Sequence, residues 1–542
     1  MDWNIGDILD RLETVIPQDH TALVHAERRT TWGELSRRSN NIARALADRG
    51  IGPGAKAAFY LRNSPAYMEF LAACLKGRLT HVNVNYRYRE QELSYILDNS
   101  DSEVVVYDPE FAPIVAAARP HCPRVKVWLQ AGDEEAPDFA ERFEDLARGE
   151  GRPLGLERDP QDEILLYTGG TTGMPKGVIW THDVIMKAQL TGLSAITGVD
   201  PPASLDAFID HAMENGRNTR QLPAAPLMHA TGMTLALAAM AAGGTVITLP
   251  SERGFDPEAL WRTVEREGVT SITIIGDAFA KPMLRALDEA PGRYRTDTVQ
   301  SIISSGVVWS QPVKEGLLRH MPDVGLLDSL GSTEAPSIGV SIATKDGEIT
   351  PTLDFRLSES CKVFDENDRP VEPGSGKIGF MARSDNIPLG YYKDPEKTAR
   401  TFRVIDGVRY AIPGDMCTVA PDGRLNLLGR SSGCINTGGE KVFAEEVEEV
   451  LKTHPSVYDA NVVGIPHERW GQAVTAVVAP RPGEAIDEDD LKAYVRARLA
   501  DYKTPKHIFE KGDLDRLPNG KANYKAMRAY AEAQAEERAA AS

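Results

Sequence analysis

The sequence predicts an α/β fold with a large N-terminal domain of layered α/β subdomains, a small β unit and a smaller α+β C-terminal domain. Strand-like apolar runs such as EVVVYD and TSITIIG alternate with helical patterns such as AYMEFLAACLKG and PEALWRTVEREG. This alternation is typical of parallel α/β layers. In addition, 542 residues with 42% apolar residues exceed what one compact core usually holds. We therefore expect several subdomains.

The small β unit and the C-terminal domain are predicted from changes along the chain. From Cys361, CKVFDENDRPVEPGSGKIGF has a strand, turn, strand pattern with proline and glycine between the strands. After GRLNLLGRSSG come the helix pattern AEEVEEVLKTH, two strand patterns and the helix pattern EDDLKAYVRARLA. We therefore place the N-terminal domain at 1–429 and the C-terminal domain at 430–542, whose last residues form either a terminal helix or a frayed tail.

Charge and composition exclude several classes of partner. The formal charge of −18 argues against nucleic acid and anionic membrane surfaces, because both would repel the chain. The first residues, MDWNIGDILDRLETV, lack the basic and apolar parts of a signal peptide. The run TLALAAMAAGGTVITL is too short for a membrane span and predicts a packed helix followed by a strand. We expect a cytoplasmic protein with no nucleic-acid partner and no stable membrane insertion.

A glycine-rich loop follows the strand-like run EILLY. It combines these residues: Thr168, Gly169, Gly170, Thr171, Thr172, Gly173 and Lys176. Glycines let backbone N–H groups approach a ligand and threonines add hydroxyl donors, so the loop is suited to bind phosphate. The P-loop pattern is excluded by spacing, since Lys176 lies between a proline and a glycine. The alternative is a plain surface turn.

Five further motifs follow in order along the chain. They are PLMHATG from Pro226, SLGSTE from Ser329, YAIPGD from Tyr410, GRSSGCINTGGEKVFAEEVE from Gly429 and LPNGKANYKAMR from Leu517. With the glycine loop, they resemble the acyl-adenylate-forming superfamily, which includes acyl-CoA synthetases, luciferases and peptide-synthetase adenylation domains. The resemblance extends over most of the chain and implies a mobile C-terminal domain with the active site between the two domains.

The resemblance implies a two-step reaction on a small-molecule carboxylic acid. The carboxylate attacks the α-phosphorus of ATP, pyrophosphate leaves, and the thiol of coenzyme A then displaces AMP from the acyl adenylate. Because two anions must meet in the first step, the site needs hydrogen-bond donors, a metal and a cation. The implied cofactors are ATP, coenzyme A and Mg²⁺, and the resemblance is compatible with a homodimer.

The resemblance also assigns roles around the nucleotide. The glycine loop holds the β- and γ-phosphates, Thr333 contacts the α-phosphate and Glu334 holds Mg²⁺. The neighbouring positions of the predicted nucleotide site are Gly306, Leu330, Gly331 and Ser332. Relatives often carry an aromatic residue at the position of Leu330, which can cover adenine here only by apolar contact.

Three charged residues complete the implied site. Asp415 accepts hydrogen bonds from both ribose hydroxyls, a role suited to two carboxylate oxygens; the alternative is a turn residue after glycine. Arg430 lies near the ribose and phosphate and marks the hinge. Lys521 bridges the carboxylate and the α-phosphate in the adenylating conformation. Relatives carry Asp or Lys two residues after the arginine, whereas this chain has Ser432, so the pivot is either Ser432 or Gly433.

The acyl acceptor is predicted from NTGGEKV. Gly438 and Gly439 would leave a narrow passage for the pantetheine arm of coenzyme A, although they could also form a simple hairpin turn. The alternative within the superfamily is transfer to a carrier protein or another acceptor. A noncatalytic nucleotide-binding regulator is the remote alternative, because the four residues assigned above to the phosphates, metal, ribose and bridging cation are all present.

The substrate prediction depends on the motif PLMHATG and the small residues that follow it. His229 lies where family members gate or line the acyl pocket, and we assign Gly232 and Met233 to the same pocket. The segment MTLALAAMAAGG leaves room for a bulky acyl group or, alternatively, packs closely against a sheet. YTGGTTGMPKGVIW, CINTGGEKVFAEEVEEVL and PNGKANYK resemble actinobacterial CoA ligases for steroid side-chain and long fatty acids. We expect a medium or long-chain fatty acid or a steroid side-chain acid.

Overall fold

The computed structural model describes most of the chain. The described residues are 2–168, 174–250, 254–307, 309–347, 354–430, 434–437, 440–467, 471–499, 501–517 and 520–541. Their α-helices are α1 (Ile5–Val15), α2 (Trp32–Asp48), α3 (Pro65–Lys76), α4 (Glu90–Asn99), α5 (Ala112–Ala118), α6 (Phe143–Leu146), α7 (His182–Thr197), α8 (Leu205–Glu214), α9 (Ala230–Ala241), α10 (Pro257–Glu267), α11 (Gly276–Glu289), α12 (Gln311–His320), α13 (Pro395–Thr401), α14 (Ala444–Lys452), α15 (Glu488–Arg496) and α16 (Tyr524–Ala541). Within these ranges, no helix has the length and apolar character needed to cross a membrane.

The strands are short and numerous. They are β1 (Thr21–His25), β2 (Arg28–Thr31), β3 (Lys56–Tyr60), β4 (Thr80–Asn83), β5 (Ser102–Tyr107), β6 (Val127–Gln130), β7 (Glu141–Arg142), β8 (Glu163–Thr168), β9 (Lys176–Thr181), β10 (Arg220–Pro223), β11 (Thr245–Thr248), β12 (Ser271–Ile274), β13 (Ser301–Ser305), β14 (Gly325–Leu330), β15 (Gly339–Ala343), β16 (Asp354–Leu357), β17 (Cys361–Phe364), β18 (Gly379–Arg383), β19 (Gly390–Tyr391), β20 (Phe402–Ile405), β21 (Val408–Ala411), β22 (Asp415–Val419), β23 (Arg424–Arg430), β24 (Cys434–Thr437), β25 (Glu440–Phe443), β26 (Val457–His467), β27 (Gly471–Pro480) and β28 (His507–Glu510).

Helix boundaries follow local capping signals. Ser64 accepts a hydrogen bond from the third residue of α3, whose first residue is proline. Asp256 caps α10 in the same way, again before a proline, and Gly268 ends that helix in the left-handed conformation. These residues satisfy backbone groups that a helix end leaves unpaired. The predicted helices PEALWRTVEREG and AYMEFLAACLKG therefore begin and end where their sequences indicate.

One sheet carries the glycine loop. Its strand order is β19-β9-β8-β4-β3-β5-β6-β7. Strands β3, β4, β5 and β8 run parallel, and β9 returns antiparallel to β8. The glycine loop connects β8 to β9, with Thr168 opposite Lys176 at the end of the ladder.

A larger sheet combines a parallel half and an antiparallel half. In the parallel half, β1, β11, β10, β12, β13 and β14 are neighbours, and β15 pairs antiparallel with β14. Strands β16, β23, β22, β18, β21 and β20 continue the sheet, and β17 pairs with β18. The antiparallel unit predicted from Cys361 is therefore continuous with the parallel sheet, because β15 and β16 join the two halves by backbone hydrogen bonds.

A third sheet follows the predicted hinge sequence. Its order is β25-β24-β27-β26, with β28 parallel to β27. Helix α14 covers one face with Val447 and Leu451, and α16 covers the other with Met527 and Ala531. The tail is a helix, so the first of the two alternatives for it is the observed one. The domain division at residue 430 stays a prediction; β23 ends in the large sheet at that residue, and β24 begins the third sheet.

Candidate active site

The predicted site residues converge on one cleft of about 3980 Å³. Residues on both sides of the hinge sequence line it, and those predicted from motifs are Thr168, His229, Gly306, Leu330, Gly331, Ser332, Thr333, Glu334, Asp415 and Lys521. Gly306 follows β13 and Gly331 follows β14. These two strands are parallel neighbours, so their carboxyl ends open at the same edge of the sheet.

The GSTE segment forms a compact turn directly after β14. The Ser332 N–H donates to the Ala335 carbonyl at 3.0 Å, and the Ala335 N–H donates back at 3.2 Å. Trp180 Nε1 donates to the Thr333 carbonyl at 3.1 Å. A Cβ on Gly331 would lie 2.8 Å from the Ala335 oxygen, so the turn requires glycine there. Thr333 and its neighbour Glu334 are thus presented to the cleft by a rigid backbone.

The Glu334 carboxylate is oriented by a tyrosine from a distant segment. Tyr391 Oη donates to Glu334 Oε1 at 2.6 Å. The Tyr391 backbone N–H donates to Thr398 Oγ1 at 2.8 Å, and the Lys397 ammonium lies 4.3 Å from the centre of its ring. A half-buried carboxylate that lines the cleft has the hard oxygen donors that Mg²⁺ prefers. Sequence reasoning missed Tyr391, which no local motif marks.

Lys176 forms an ion pair with Asp394. The Lys176 ammonium, followed by the Lys397 backbone N–H, lowers the pKa of the Asp394 carboxyl. In this structure the predicted phosphate-binding lysine is therefore engaged by a carboxylate, whereas Thr168 lines the cleft. The remaining glycine-loop positions predicted to bind phosphate lie outside the described residues: Gly169, Gly170, Thr171, Thr172 and Gly173.

The predicted ribose site lies on the antiparallel half of the large sheet. Asp415 begins β22 and lines the cleft, after Gly414 in a left-handed conformation with φ of 99°. The β22–β23 register places Asp415 opposite Arg430. The Arg430 side chain and the predicted hinge and pantetheine residues Ser432, Gly433, Gly438 and Gly439 lie outside the described parts.

His229, which is predicted to line the acyl pocket, lines the cleft immediately before α9. Its Nε2 atom is buried and has no hydrogen-bond partner among the described residues. Burial, and then the positive charges of Lys521 and Arg87, lower the pKa of His229 to about 3. The imidazole is therefore neutral at physiological pH.

Lys521 is held in the cleft by its own loop and by α11. The Leu517 N–H donates to the Lys521 carbonyl at 2.8 Å, and Gly520 has φ of 74°. Arg516 donates to the Gly520 carbonyl at 3.1 Å and pairs with both oxygens of Asp459 at 2.6 and 2.7 Å. This bidentate pair fixes the loop geometrically.

Helix α11 contacts the C-terminal sheet next to that loop. Gly520 approaches Ala278 so closely that an added Cβ would lie 2.5 Å from the alanine Cβ. Lys281 Nζ donates to the Tyr458 carbonyl at 3.0 Å, and Arg285 donates to its hydroxyl at 3.4 Å. These contacts dock the C-terminal part of the chain against α11, and Lys521 lines the same cleft as His229 and Thr333.

Helix α9 forms one wall of the cleft, where the acyl pocket is predicted. Thr231, Thr234, Leu235 and Ala238 line the cleft at helical spacing. The prediction for Gly232 and Met233 needs correction, because helical periodicity turns both away from this wall. Met233 is fully buried in the core. A Cβ on Gly232 would lie 2.4 Å from the Pro226 carbonyl oxygen, so that glycine permits close packing of the backbone instead.

Comparison with known proteins places the chain in a family. Residues 14–392 match the AMP-binding enzyme family, and residues 446–521 match the AMP-binding enzyme C-terminal domain. The chain is 38% identical over 534 residues to the 3-oxocholest-4-en-26-oate–CoA ligase of Rhodococcus rhodochrous, covering 97% of this chain and 95% of that one. It is 36% identical over 540 residues to the medium/long-chain-fatty-acid–CoA/3-oxocholest-4-en-26-oate–CoA ligase of Mycobacterium marinum, covering 98% and 97%.

A solved structure shows the same fold. The anthranilate CoA ligase AuaEII in complex with anthranoyl-AMP has a TM-score of 0.83 at 23% identity, covering 99% of this chain and 98% of that one. The chain belongs to the family of AMP-binding enzymes. The predicted fold class is confirmed, and so is the predicted class of enzyme, an AMP-forming acid–thiol ligase that uses ATP, coenzyme A and a small-molecule acid.

Proposed function

We propose that the protein joins a large hydrophobic carboxylic acid to coenzyme A through an acyl-AMP intermediate. The observation that carries this proposal is the convergence of Lys521, His229 and the GSTE turn on one cleft. Lys521 comes from the C-terminal part, and its positive charge contributes to lowering the pKa of His229 at the proposed acyl end. This arrangement supports the adenylation step, in which an acid and a nucleotide phosphate must approach each other.

In the proposed first step, the chain offsets repulsion between the two anions. The Lys521 ammonium lies between the carboxylate and the α-phosphate, and the Thr333 hydroxyl donates to an α-phosphate oxygen. Preorganised donors of this kind stabilise charge that develops in the transition state. His229 stays neutral and adds no second cation, so it contributes to the shape of the acyl entrance.

Glu334 is the proposed ligand of Mg²⁺. Its Oε1 accepts from Tyr391, which fixes the carboxylate toward the cleft. When bound, the metal would neutralise phosphate charge. Asp415 is the proposed ribose acceptor, and Arg430 a contact to ribose and phosphate.

In the proposed second step, coenzyme A attacks the acyl adenylate after the C-terminal part rotates. Gly438 and Gly439 are the proposed passage for pantetheine. The alternative acceptor, a carrier protein, would give acyl adenylate formation without consumption of coenzyme A. A cytoplasmic location and a homodimer stay predictions.

The proposed acid is a medium or long-chain fatty acid or a steroid side-chain acid. The relatives in Rhodococcus rhodochrous and Mycobacterium marinum are named for such acids, and the α9 wall presents small and apolar side chains, Ala238 and Leu235, to the cleft. Burial of each methylene contributes about 0.8 kcal/mol, so four more carbons would supply ~3 kcal/mol, or on the order of 100-fold in kcat/KM.

The test measures kcat/KM for a series of acids in two separate assays. One assay detects pyrophosphate release and the other detects coenzyme A consumption. The panel contains acetate, butyrate, octanoate, palmitate, benzoate and a steroid C24 acid. We expect both readouts to rise together toward the large acids. A maximum at acetate or butyrate would rule out the proposed substrate class, and pyrophosphate release without coenzyme A consumption would indicate another acceptor.

A further inference from the structure

Asn83, the last residue of β4, supports the start of the glycine loop. Backbone pairing between β4 and β8 extends to Val82 and Leu165. Beyond that point the Asn83 side chain continues the pairing. Its Oδ1 accepts from the Tyr167 N–H at 2.5 Å, and its Nδ2 donates to the Tyr167 carbonyl at 3.0 Å. Tyr167 immediately precedes Thr168, where the glycine loop begins.

The same amide also supports the acyl end of the cleft. Asn83 Nδ2 donates to the Met228 carbonyl at 2.6 Å, and Met228 immediately precedes His229. Asn83 is 5% exposed and lines the cleft. One buried side chain is therefore bonded to the backbone that leads into the nucleotide loop and to the backbone that presents the acyl-site histidine.

Asn63 provides a natural comparison. Its Nδ2 donates to the Pro223 and Ala225 carbonyls, each at 3.0 Å, and its Oδ1 accepts from the Leu227 N–H at 2.7 Å. It thus makes the same number of backbone hydrogen bonds as Asn83, but all of them are to the acyl-site segment. Of the two, Asn83 is the one bonded to β8; Asn63 is also less buried and contacts different carbonyls.

We infer that Asn83 is a positioning residue that couples the binding of ATP to the binding of the carboxylic acid; this inference rests on the proposed function. The backbones of Tyr167 in β8 and of Met228 share one amide, so a shift of Tyr167 on nucleotide binding would change the position available to Met228. Buried carbonyls that lose their donor are costly, which keeps both hydrogen bonds in place. By linkage, ATP then favours acid binding by the same factor as acid favours ATP binding.

The experiment measures the dissociation constant of octanoate by calorimetry, with and without saturating α,β-methylene-ATP and Mg²⁺. The wild type is compared with Asn83→Leu, Asn83→Asp and Asn63→Leu. Asn83→Asp keeps the acceptor for the Tyr167 N–H but loses both donated hydrogen bonds. It therefore replaces Asn83→Leu in the measurement if the leucine variant does not fold. Unfolding temperatures establish that each variant is native.

We expect the analogue to tighten octanoate binding to the wild type by about tenfold, within the usual range of coupling between sites. In either Asn83 variant, the ratio of the octanoate dissociation constants without and with the analogue should be close to one. Asn63→Leu should weaken octanoate binding but keep this ratio at the wild-type value. Equal ratios in native Asn83 variants and the wild type would overturn the inference alone. A wild type that binds the analogue but none of the acids in the panel would overturn the proposed function as well.

Discussion

The position of Lys521 depends on side chains that surround its loop. Arg516 holds the Gly520 carbonyl and is itself held by both oxygens of Asp459. Asp459 follows Tyr458, whose carbonyl accepts from Lys281 on α11. These contacts fix the backbone that carries Lys521 and so limit the region that its ammonium can reach.

Lys521→Ala should abolish acyl-adenylate formation and spare thioester formation from supplied acyl adenylate. Only the first step brings two anions together, and loss of a positioned charge typically costs on the order of 10²- to 10³-fold in rate. Pyrophosphate exchange measures the first step, and coenzyme A consumption with synthetic acyl adenylate measures the second. Lys511→Ala, which removes a half-buried lysine paired with Asp515, is the control. Equal losses in both steps would contradict the role given to Lys521.

The buried imidazole of His182 should make the free energy of unfolding depend on pH. Neither ring nitrogen has a hydrogen-bond partner in the described part of the chain, and burial lowers the pKa of His182 to about 4. Below the ordinary value of about 6.5, the unfolded chain binds a proton that the folded chain does not. This histidine therefore makes the free energy of unfolding fall as pH falls from about 6.5 to 4.

His182→Leu should make that pH dependence shallower. The change is expected to approach 1.4 kcal/mol per pH unit, about one proton, in the middle of the window. The variant should lose little stability at pH 7, because no hydrogen bond to the ring is removed. Urea unfolding at pH values from 7.5 to 4.5 measures both curves. Parallel curves for the two proteins would show that His182 takes up its proton in the folded state.

Sequence motifs identified the site residues that lie together in one short segment. The residues that orient them lie far away along the chain and were therefore missed. Thr333 and Glu334 belong to one recognisable turn. Tyr391, which orients Glu334, is 57 residues away, and Asp394 is 218 residues from its partner Lys176. No local pattern distinguishes such a tyrosine or aspartate from a surface residue. Their roles follow only from the packing of β19 beside β9.

At the scale of elements, helix periodicity decides which α9 residues can meet a substrate. The sequence predicted a helix there and a pocket of small residues, and the helix is present. The rotation of the helix about its axis was not predictable, since its residues are apolar all round and give no amphipathic face. As a result, Gly232 and Met233 were assigned to the pocket, while Thr234 and Ala238 occupy the wall.

Ala238→Phe should penalise bulky acids much more than short ones. The alanine is half-buried on the cleft wall, so a phenyl ring would occupy acyl volume. We expect a loss in kcat/KM of roughly 10- to 200-fold for palmitate or a steroid C24 acid and a small change for butyrate. Ala238→Ser changes little volume and is the control. A uniform loss for all acids would mean that the substitution disturbs the helix instead of the pocket.

At the scale of the whole molecule, the sequence predicted the α/β class but not the continuity of the sheets. Alternating strand and helix patterns mark the parallel half of the large sheet, and proline and glycine punctuation marks the antiparallel half. That β15 joins them follows from backbone pairing between Leu330 and Gly339 and their neighbours, which leaves no trace in composition. The docking of α11 against the C-terminal part is equally invisible, because Ala278 and Gly520 are small residues without a motif in common.

Gly520→Ala should slow adenylation selectively by disturbing this docking. The left-handed backbone at φ of 74° and a Cβ 2.5 Å from that of Ala278 both oppose a side chain. The left-handed conformation alone costs an alanine about 1–2 kcal/mol. If this cost destabilises the docked state, the adenylation rate falls roughly 10-fold. Pyrophosphate exchange should fall, whereas thioester formation from supplied acyl adenylate should persist, because the proposed second step uses a rotated arrangement of the C-terminal part.

Two further variants separate the clash from the backbone strain. Gly483→Ala introduces the same left-handed strain, at φ of 84°, where nothing lies within 4 Å of the new Cβ; it should leave the ratio of the two half-reactions unchanged. Ala278→Gly in the Gly520→Ala background should restore part of the exchange rate, because it removes the opposing methyl group. If Gly520→Ala slowed both half-reactions equally, or if Ala278→Gly restored nothing, the contact with α11 would have no part in placing Lys521 for adenylation.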